Sequence, residues 1–263
     1  MTVSGTRRVE LADGRAAVVK MGTPAAVAAE VAGLRWLRVP GGPPVPAALD
    51  SAEDRFVMEL VPSGAPTRAA AAELGRRLAA MHGAGAAAFG AAPPGGPVEA
   101  VIGRAPMRNV EGARWAPWYA EHRVLPYLRL ARDAGDLDAG EAGVIERVCA
   151  RLPELGGPDE PAARLHGDLW SGNVLWSTGG AWLIDPAAHG GHRETDLAML
   201  ALFGCPHLDV VLSGYDEAAP LASGWRGRVP LHQLFPLLVH VVLFGRGYAQ
   251  ATVGAARAAL RLG

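Results

Sequence analysis

Apolar and polar positions in the first sixty residues alternate as they do in β-strands, except along one helical stretch. Residues 7–20 predict a β-hairpin, because two apolar runs flank an Asp13-Gly14 turn. Residues 24–37 carry apolar side chains at helical intervals, which predicts an amphipathic helix. Residues 55–61 predict a further strand, which runs into a break containing Pro and Gly. The pattern therefore indicates a small, strand-rich first part of the chain.

Helical spacing predominates in the remainder of the chain. It predicts a helix that ends at Gly83, a second over residues 115–130 that is bent or ended near Pro126, and a third over residues 141–152. The tract at residues 83–97, which is rich in Gly, Ala and Pro, predicts a loop. The C-terminal third is again mainly helical.

Together these elements predict an α+β fold with two lobes. Residues 1–62 form the predicted N-terminal lobe, and residues 63–263 form a larger helical lobe. We expect a nucleotide to bind in the cleft between them, since ligand sites are common where two such units meet. The helical lobe also contains a short predicted hairpin, residues 174–184, around a loop containing Gly.

Three polar residues flank this hairpin and indicate its chemistry. Asp168 and Asn173 precede it, and Asp185 follows it, so the return of the chain brings all three together. Phosphoryl transfer needs a carboxylate that receives the acceptor's proton and oxygen ligands that hold Mg²⁺ against the nucleotide phosphates. The spacing therefore predicts a kinase that uses ATP and Mg²⁺, with Asp168 as the base and Asn173 and Asp185 as metal ligands.

A second pair of residues supports nucleotide binding. Glu30 falls on the apolar side of the helix over residues 24–37, where a carboxylate requires a partner. Lys20, at the end of the preceding strand, is the candidate, because kinases use a strand lysine on the phosphates and a helix glutamate that positions it. We expect the adenine ring to meet the backbone where the third strand ends, at Glu59, Leu60 and Val61.

Composition and charge exclude several other classes of protein. The chain has 263 residues, 50% apolar and 19% charged, with a net charge of −1, which is typical of a globular protein without affinity for nucleic acid or anionic membranes. Its two cysteines, Cys149 and Cys205, provide no disulfide framework. No signal peptide is apparent, and the apolar stretch at residues 229–245 is too short and too polar to span a bilayer. We expect a cytoplasmic monomer.

Four further segments have a distinctive sequence: His166–Asn173, Ile184–Ala187, Arg193–Met199 and Leu202–Gly204. They resemble the fructosamine kinase (ketosamine-3-kinase) family, which shares its fold with aminoglycoside phosphotransferases and, more distantly, with protein kinases. The resemblance covers nearly the whole chain and implies ATP-dependent phosphorylation of the 3-hydroxyl of a ketosamine, either a small glycated amine or a glycated protein. The unstable product sheds its sugar, so the family is associated with deglycation.

The resemblance also implies roles for individual residues. Asp168 would be the base, Asn173 and Asp185 the Mg²⁺ ligands, and Lys20 with Glu30 the phosphate anchor. Asp196 matches an aspartate that braces the catalytic loop, although it could also cap the helix that follows. Further supporting or substrate-contacting candidates are His166, Trp170, Asn109 and His189.

The aromatic and histidine candidates leave alternatives open. Trp170 could wall a sugar or amine pocket, whereas Trp115 and Trp118 follow helical spacing, which favours the core. His189 and His192 could contact the substrate or lie on a solvated loop. No cysteine or carboxylate cluster completes a structural metal site around these histidines.

Two departures from the family pattern affect the predicted site. The family has a longer, Gly-rich loop between its first strands, whereas only residues 3–6 precede the strand at Arg7. Because backbone amides of such a loop cover the phosphates, a truncated phosphate loop is expected to weaken nucleotide binding. Met107 also stands where the family has Gln, which bears on the identity of the substrate.

Other functions remain compatible with this sequence. An aminoglycoside or choline-type kinase would use the same chemistry on another acceptor, and a nucleotide-poor pseudokinase would bind a sugar-amine or a partner. A protein kinase is disfavoured, because only ten residues separate Asp185 from Asp196 and leave no room for a long activation segment.

Overall fold

The computed structural model describes residues 5–262. Its first part is an antiparallel sheet in the order β1-β2-β4-β3. The predicted hairpin is confirmed, since β1 and β2 pair along their length around a turn at Gly14. Residues 3 and 4 of the segment in front of β1 lie outside the described residues. The strands are β1 (Thr6–Glu10), β2 (Ala16–Met21), β3 (Ala48–Ser51) and β4 (Arg55–Glu59).

A helix, α1 (Pro24–Leu37), packs against this sheet and confirms the helix predicted there. Thr23 caps its N-terminus, because the Thr23 side chain accepts a hydrogen bond from the Ala26 N–H at 3.3 Å. Pro24 occupies the first helical position, where no N–H is needed. The buried face presents its apolar side chains to β4 and to the helical part of the chain.

The remainder of the chain is mainly helical. Two apolar clusters hold the protein together. The first joins α1 and the sheet to α2, α6 and α7. The second joins α3, α4 and α5 to α8, α9 and α10. The first cluster therefore runs across residue 62 without a break. The helices are α2 (Arg68–Gly83), α3 (Trp115–Tyr119), α4 (Leu125–Asp133), α5 (Ala139–Leu155), α6 (Arg193–Leu202), α7 (Leu208–Ala218), α8 (Trp225–His232), α9 (Leu234–Phe244) and α10 (Ala249–Ala259).

The helix predicted over residues 115–130 consists of two α-helices, α3 and α4, joined by a π-helical turn at Ala120–Val124. Pro126 lies just beyond this turn and has no N–H to donate to the preceding turn. Because a π-helical turn is wider than an α-helical one, the Leu125 N–H donates its hydrogen bond to the Ala120 carbonyl. Trp115 and Trp118 are buried, as their spacing predicts.

Three short antiparallel pairs complete the fold and hold the loops that concern function. The predicted hairpin at residues 174–184 is confirmed as β8 and β9, whereas the other two pairs were not predicted. The catalytic motif lies between β7 and β8, and Asp185 follows β9. The pairs are β5 (Glu99–Ile102) with β6 (Ala105–Arg108), β7 (Ala163–Leu165) with β10 (His189–Gly191), and β8 (Val174–Ser177) with β9 (Gly180–Leu183).

One helical stretch, Trp225–Phe244, is by length and composition alone apolar enough to cross a membrane. The stretch comprises α8 and α9, because helical structure continues through Gln233. It is therefore longer than the apolar stretch at residues 229–245 that the sequence indicates. Just over half of it, 56%, is buried within the protein. Most of its buried apolar residues, from Leu231 to Val241, belong to the second cluster, whereas Phe244 is exposed.

Candidate active site

The three polar residues of the catalytic motif lie together at one end of the β8–β9 hairpin. The Asn173 side-chain amide donates hydrogen bonds to the Asp168 carboxylate at 3.1 Å and to the Asp168 backbone carbonyl at 2.8 Å. It also lies 3.5 Å from the Asp185 carbonyl. The hairpin causes this arrangement, since the Ile184 N–H bonds to the Asn173 carbonyl at 3.0 Å.

Asp168 has the properties of a proton acceptor near neutral pH. Burial raises the pKa of its carboxyl group to about 7, in spite of the hydrogen bond from Asn173, which acts in the opposite direction. A base works best when its pKa lies near the working pH. The carboxylate still faces a cavity, so an acceptor hydroxyl can reach it.

Asp196 of α6 fixes the backbone of the catalytic loop. Its carboxylate accepts hydrogen bonds from the His166 N–H at 2.7 Å and the Gly167 N–H at 3.0 Å, and it contacts His82 Nε2 at 3.1 Å. Gly167 has a φ of 82°, and a Cβ there would collide with the Ala187 carbonyl. The catalytic loop is therefore fixed by the hydrogen bonds to Asp196 and by its close packing against the Ala187 backbone.

The alternative that Asp196 caps the following helix is wrong. Helix α6 begins at Arg193, and the N-cap is His192, so Asp196 lies inside the first turn. His166 supports the same loop, because its Nε2 lies 2.9 Å from the Ile184 carbonyl just before Asp185. The contact from His82 had no sequence signal, since 114 residues separate it from Asp196.

Lys20 forms ion pairs with two carboxylates. Its Nζ lies 2.8 Å from Glu30 Oε1 and 2.9 Å from Asp185 Oδ1, so the predicted contact with Glu30 is confirmed. Burial alone would lower the pKa of Lys20, but the two carboxylates outweigh it and raise the pKa. Asp185 has a φ of 54°, the left-handed region that few non-glycine residues adopt. Lys20 is therefore held as a cation beside the catalytic loop.

A cavity of roughly 660 Å³ connects these groups. Trp170 forms part of its wall, and 39% of this side chain is exposed. The β5–β6 hairpin contributes Arg104 to another part of the wall, which the sequence pattern did not reveal. The predicted residues that line the cavity are Lys20, Glu30, Asp168, Trp170, Asn173 and Asp185.

The predicted adenine contacts do not line this cavity. Glu59, Leu60 and Val61 occupy the end of β4 and the start of the connection to α2. The Glu59 carboxylate accepts a hydrogen bond from the Ala47 N–H at 3.4 Å and so supports the chain before β3. Their contact with adenine remains a prediction.

Asn109 is buried and lines a small pocket that shares Pro186 and Ala187 with the cavity. Its side-chain oxygen accepts a hydrogen bond from Arg123 at 3.2 Å. The Arg123 guanidinium also donates to the Arg108 carbonyl at 2.9 Å, next to Asn109. Asn109 thus supports the end of β6, and its contact with a substrate remains a prediction.

His189 and His192 are both buried, so the solvated-loop alternative is wrong for them, and contact of either ring with a substrate remains a prediction. His189 Nδ1 lies 2.8 Å from the Ala187 carbonyl, which places the ring proton on Nδ1. Burial lowers the pKa of His189 to about 3, and burial lowers the pKa of His192 as well. Both histidines are therefore neutral parts of the core.

His192 has neighbours that the sequence did not reveal. Its ring, the Glu194 carboxylate and the His232 ring offer ligand atoms within 4.8 Å of one another, so a carboxylate does join this cluster. Arg228 already neutralises that carboxylate, with contacts of 2.6 and 2.9 Å to its two oxygens. Burial raises the pKa of Glu194, but the hydrogen bonds from Arg228 and the nearby His232 ring outweigh it and lower the pKa to about 2. The cluster is an internal ion pair.

A divalent cation fits best beside Asn173 and Asp185. The Asn173 amide nitrogen is directed at Asp168, which leaves the amide oxygen as a ligand. Asp185 contributes a carboxylate whose side chain is 38% exposed. Such hard oxygen ligands, completed by phosphate oxygens and water, are what Mg²⁺ prefers.

Comparison with known proteins agrees with this architecture. A solved structure from Thermobifida fusca, assigned as a fructosamine-3-kinase, superposes with a TM-score of 0.92 at 50% identity and covers 99% of this chain and 94% of its own. An aminoglycoside phosphotransferase in complex with ADP and hygromycin B superposes with a TM-score of 0.60 at 14% identity, over 99% of this chain and 95% of its own. The second similarity concerns the fold alone, and it confirms the predicted fold class.

Sequence comparisons identify the family. A probable ketoamine kinase of Synechocystis is 33% identical over 88% of this chain and 76% of its own length. The chloroplastic protein-ribulosamine 3-kinase of Arabidopsis thaliana is 34% identical over 83% of this chain, and the match spans 65% of that relative. The sequence profile of the family described as fructosamine kinase matches residues 15–261. The chain therefore belongs to the fructosamine kinase family.

Proposed function

We propose that this protein transfers the γ-phosphoryl group of ATP to the 3-hydroxyl of a ketosamine. The observation that carries the proposal is the meeting of Asp168, Asn173, Asp185 and Lys20 in one cavity, in a chain of this family. The named relatives act on ketoamines or protein-bound ribulosamines, which supports this class of acceptor.

Each residue has a part in the proposed reaction. The acceptor oxygen attacks the γ-phosphorus, the bond from phosphorus to the leaving oxygen of ADP breaks, and Asp168 receives the acceptor's proton. Asn173 and Asp185 would hold Mg²⁺, which would neutralise charge on the phosphates. Lys20 is already positioned by Glu30, and we assign it to the nucleotide phosphates.

Trp170 supports a sugar acceptor. Its ring stands in the cavity wall on the same loop as Asp168, with Phe203 packed edge-on behind it at 6.2 Å. An aromatic face held this way offers a stacking surface for the apolar face of a sugar and for a nearby ammonium group. The acceptor would thereby be oriented with its hydroxyl toward Asp168.

The test is the identity of the acceptor. Purified protein is incubated with ATP and Mg²⁺ and with a ribulosamine, a fructosamine, an aminoglycoside or choline, and ADP release and the phosphorylated position are measured. We expect turnover on a ketosamine with phosphate at its 3-hydroxyl. Turnover on the aminoglycoside or choline alone would replace the proposed acceptor, and no turnover together with no nucleotide binding would favour a pseudokinase.

A further inference from the structure

We propose that Arg104 binds the carboxylate of the acceptor, so that the preferred substrates are ketosamines of amino acids with a free carboxylate close to the glycated nitrogen. This inference rests on the proposed function and names a substrate class for it. Arg104 lines the same cavity as Asp168 and Trp170. Within residues 5–262 its guanidinium forms no hydrogen bond and no ion pair.

The charge of Arg104 is therefore available, in contrast with that of its neighbours. Lys20, the other cation that lines the cavity within the described part of the chain, is neutralised by Glu30 and Asp185. Arg108, on the same hairpin, forms an ion pair with Glu99 at 2.6 Å. An unpaired guanidinium presents a planar fork of N–H donors that matches a carboxylate.

The hairpin that carries Arg104 is well anchored. Gly103 and Arg104 form a two-residue turn between the paired Ile102 and Ala105, with a φ of 59° at Gly103. This geometry matches the turn that places Gly first. Ile102 and Ala105 are both buried, and the Tyr127 hydroxyl donates a 2.6 Å hydrogen bond to the Pro106 carbonyl. The backbone thus holds the Arg104 Cα in place at the cavity wall.

The chemistry of a ketosamine keeps its nitrogen close to the reacting hydroxyl. The reacting hydroxyl is on C3 and the amine is on C1, so the nitrogen remains close to Asp168 whenever the hydroxyl reaches this base. In the ketosamine of an α-amino acid, one carbon separates that nitrogen from the carboxylate. Arg104 stands in the wall of the same cavity as the base, so its unpaired guanidinium is the cation that this carboxylate can meet there. In a lysine side chain that is part of a glycated protein, no carboxylate lies so close to the glycated nitrogen.

The experiment compares two acceptors that differ in one charge, the ribulosamine of glycine and the ribulosamine of glycinamide. KM and kcat are measured for wild type, Arg104→Ala and Arg104→Glu, with Arg108→Ala as the matched control. Arg104→Ala is expected to raise KM for the glycine adduct about tenfold and to leave kcat for this adduct nearly unchanged. KM and kcat for the glycinamide adduct and KM for ATP should also stay nearly unchanged. Arg104→Glu is expected to invert the preference between the two adducts, and Arg108→Ala to preserve it.

Two results would overturn the inference, and each differs from a failure of the proposed function. Equal changes in KM for both adducts would show that Arg104 does not read the carboxylate. A rise in KM for ATP alone would assign Arg104 to the nucleotide phosphates. If wild type turned over neither adduct, the proposed function itself would fail, and the inference with it. Unchanged kinetics on the glycinamide adduct verify that each variant is folded.

Discussion

Among single residues, two aspartates have pKa values shifted in opposite directions by their surroundings. Asp168 receives one side-chain hydrogen bond, and burial raises its pKa to about 7. Burial also acts to raise the pKa of Asp196, but hydrogen bonds from His82 and from the backbone outweigh it and lower the pKa. One carboxylate is thus suited to accept a proton, and the other remains an anion that holds the loop.

Replacing Asp196 by Asn should weaken the loop and the fold together. The Asp196 carboxylate accepts hydrogen bonds from two backbone N–H groups, one at each oxygen. An Asn side chain has only one oxygen, so one of these buried N–H donors would face the amide NH₂ group instead. We expect a loss of about 2–4 kcal/mol in the free energy of unfolding, together with a lower kcat. Urea denaturation measures the loss. Asp209→Asn, on the exposed surface of α7, is the control and should change stability by less than about 0.5 kcal/mol. Equal stability of the two variants would contradict this account.

The buried neutral ring of His189 should make stability depend on pH. Its pKa is lowered from 6.5 to about 3, so at pH values between these two the unfolded chain binds a proton that the folded protein does not. Stability therefore decreases as pH falls through this window. In His189→Gln the slope of unfolding free energy against pH should be smaller by up to about 1.4 kcal/mol per pH unit. Parallel curves for wild type and variant, from urea titrations between pH 6 and 4, would refute the assignment.

Among the elements, α2 and α7 approach each other closely enough for their backbones to meet. A Cβ on Gly75 would collide with the Val211 carbonyl, and one on Gly214 would collide with the Ala72 carbonyl. Glycine at both positions therefore lets the two backbones touch. Because α2 also carries His82, this contact sets the position of one partner of Asp196.

Gly75→Ala should be destabilising although alanine is the better helix former. The added methyl group must separate the two helices, which costs about 1–3 kcal/mol and exceeds the gain in helix propensity of roughly 1 kcal/mol. Gly83→Ala, in the last turn of the same helix, meets nothing within 4 Å and should be neutral or stabilising. Thermal unfolding of both variants tests the contrast. A melting temperature of Gly75→Ala equal to that of Gly83→Ala would argue against the tight crossing.

Elements with a long periodic pattern could be predicted from the sequence, and short ones could not. Helix α1 and the β8–β9 hairpin have the predicted bounds to within a residue or so, because apolar spacing and turn residues act locally. The pairing of β7 with β10 involves three residues from each strand, and 24 positions separate Leu165 from His189. Such short pairs depend on tertiary contacts, so their sequences carry no signal of their own.

The candidate site shows the same division. Asp168, Asn173 and Asp185 could be predicted, because they lie on one loop and one hairpin. Lys20 and Glu30 could be paired, because a carboxylate on an apolar helix face demands a partner. His82 and Arg104 were missed, since only the packing of distant elements brings them to the catalytic loop and the cavity wall. The burial of His189 could not be predicted either, because it packs beside Trp118 from a distant helix.

At the scale of the whole molecule, the sheet and the helical part share one apolar cluster while the cavity lies between them. Lys20 from the sheet and Asp185 from the helical part meet across this cavity at 2.9 Å. A ligand that contacts both sides should therefore stabilise the whole protein by mass action. The boundary between the lobes at residue 62 remains a prediction.

Nucleotide binding should depend on Lys20. A nonhydrolysable ATP analogue with Mg²⁺ is expected to raise the melting temperature of wild type, and the increase should be much smaller in Lys20→Met. The physical reason is the loss of the cation that joins Glu30 and Asp185, which we assign to the nucleotide phosphates. An equal increase in both proteins would place the nucleotide away from Lys20.

The role of Asp168 as the base of a ketosamine kinase can be tested in a single comparison. ADP release that depends on a ribulosamine is compared between wild type and Asp168→Asn, with the shift in melting temperature caused by the ATP analogue and Mg²⁺ recorded for both. We expect the variant to lose about 10²- to 10⁴-fold in kcat and to keep the nucleotide-induced shift, because only proton transfer is removed. Turnover by Asp168→Asn at a rate close to that of wild type would exclude Asp168 as the base.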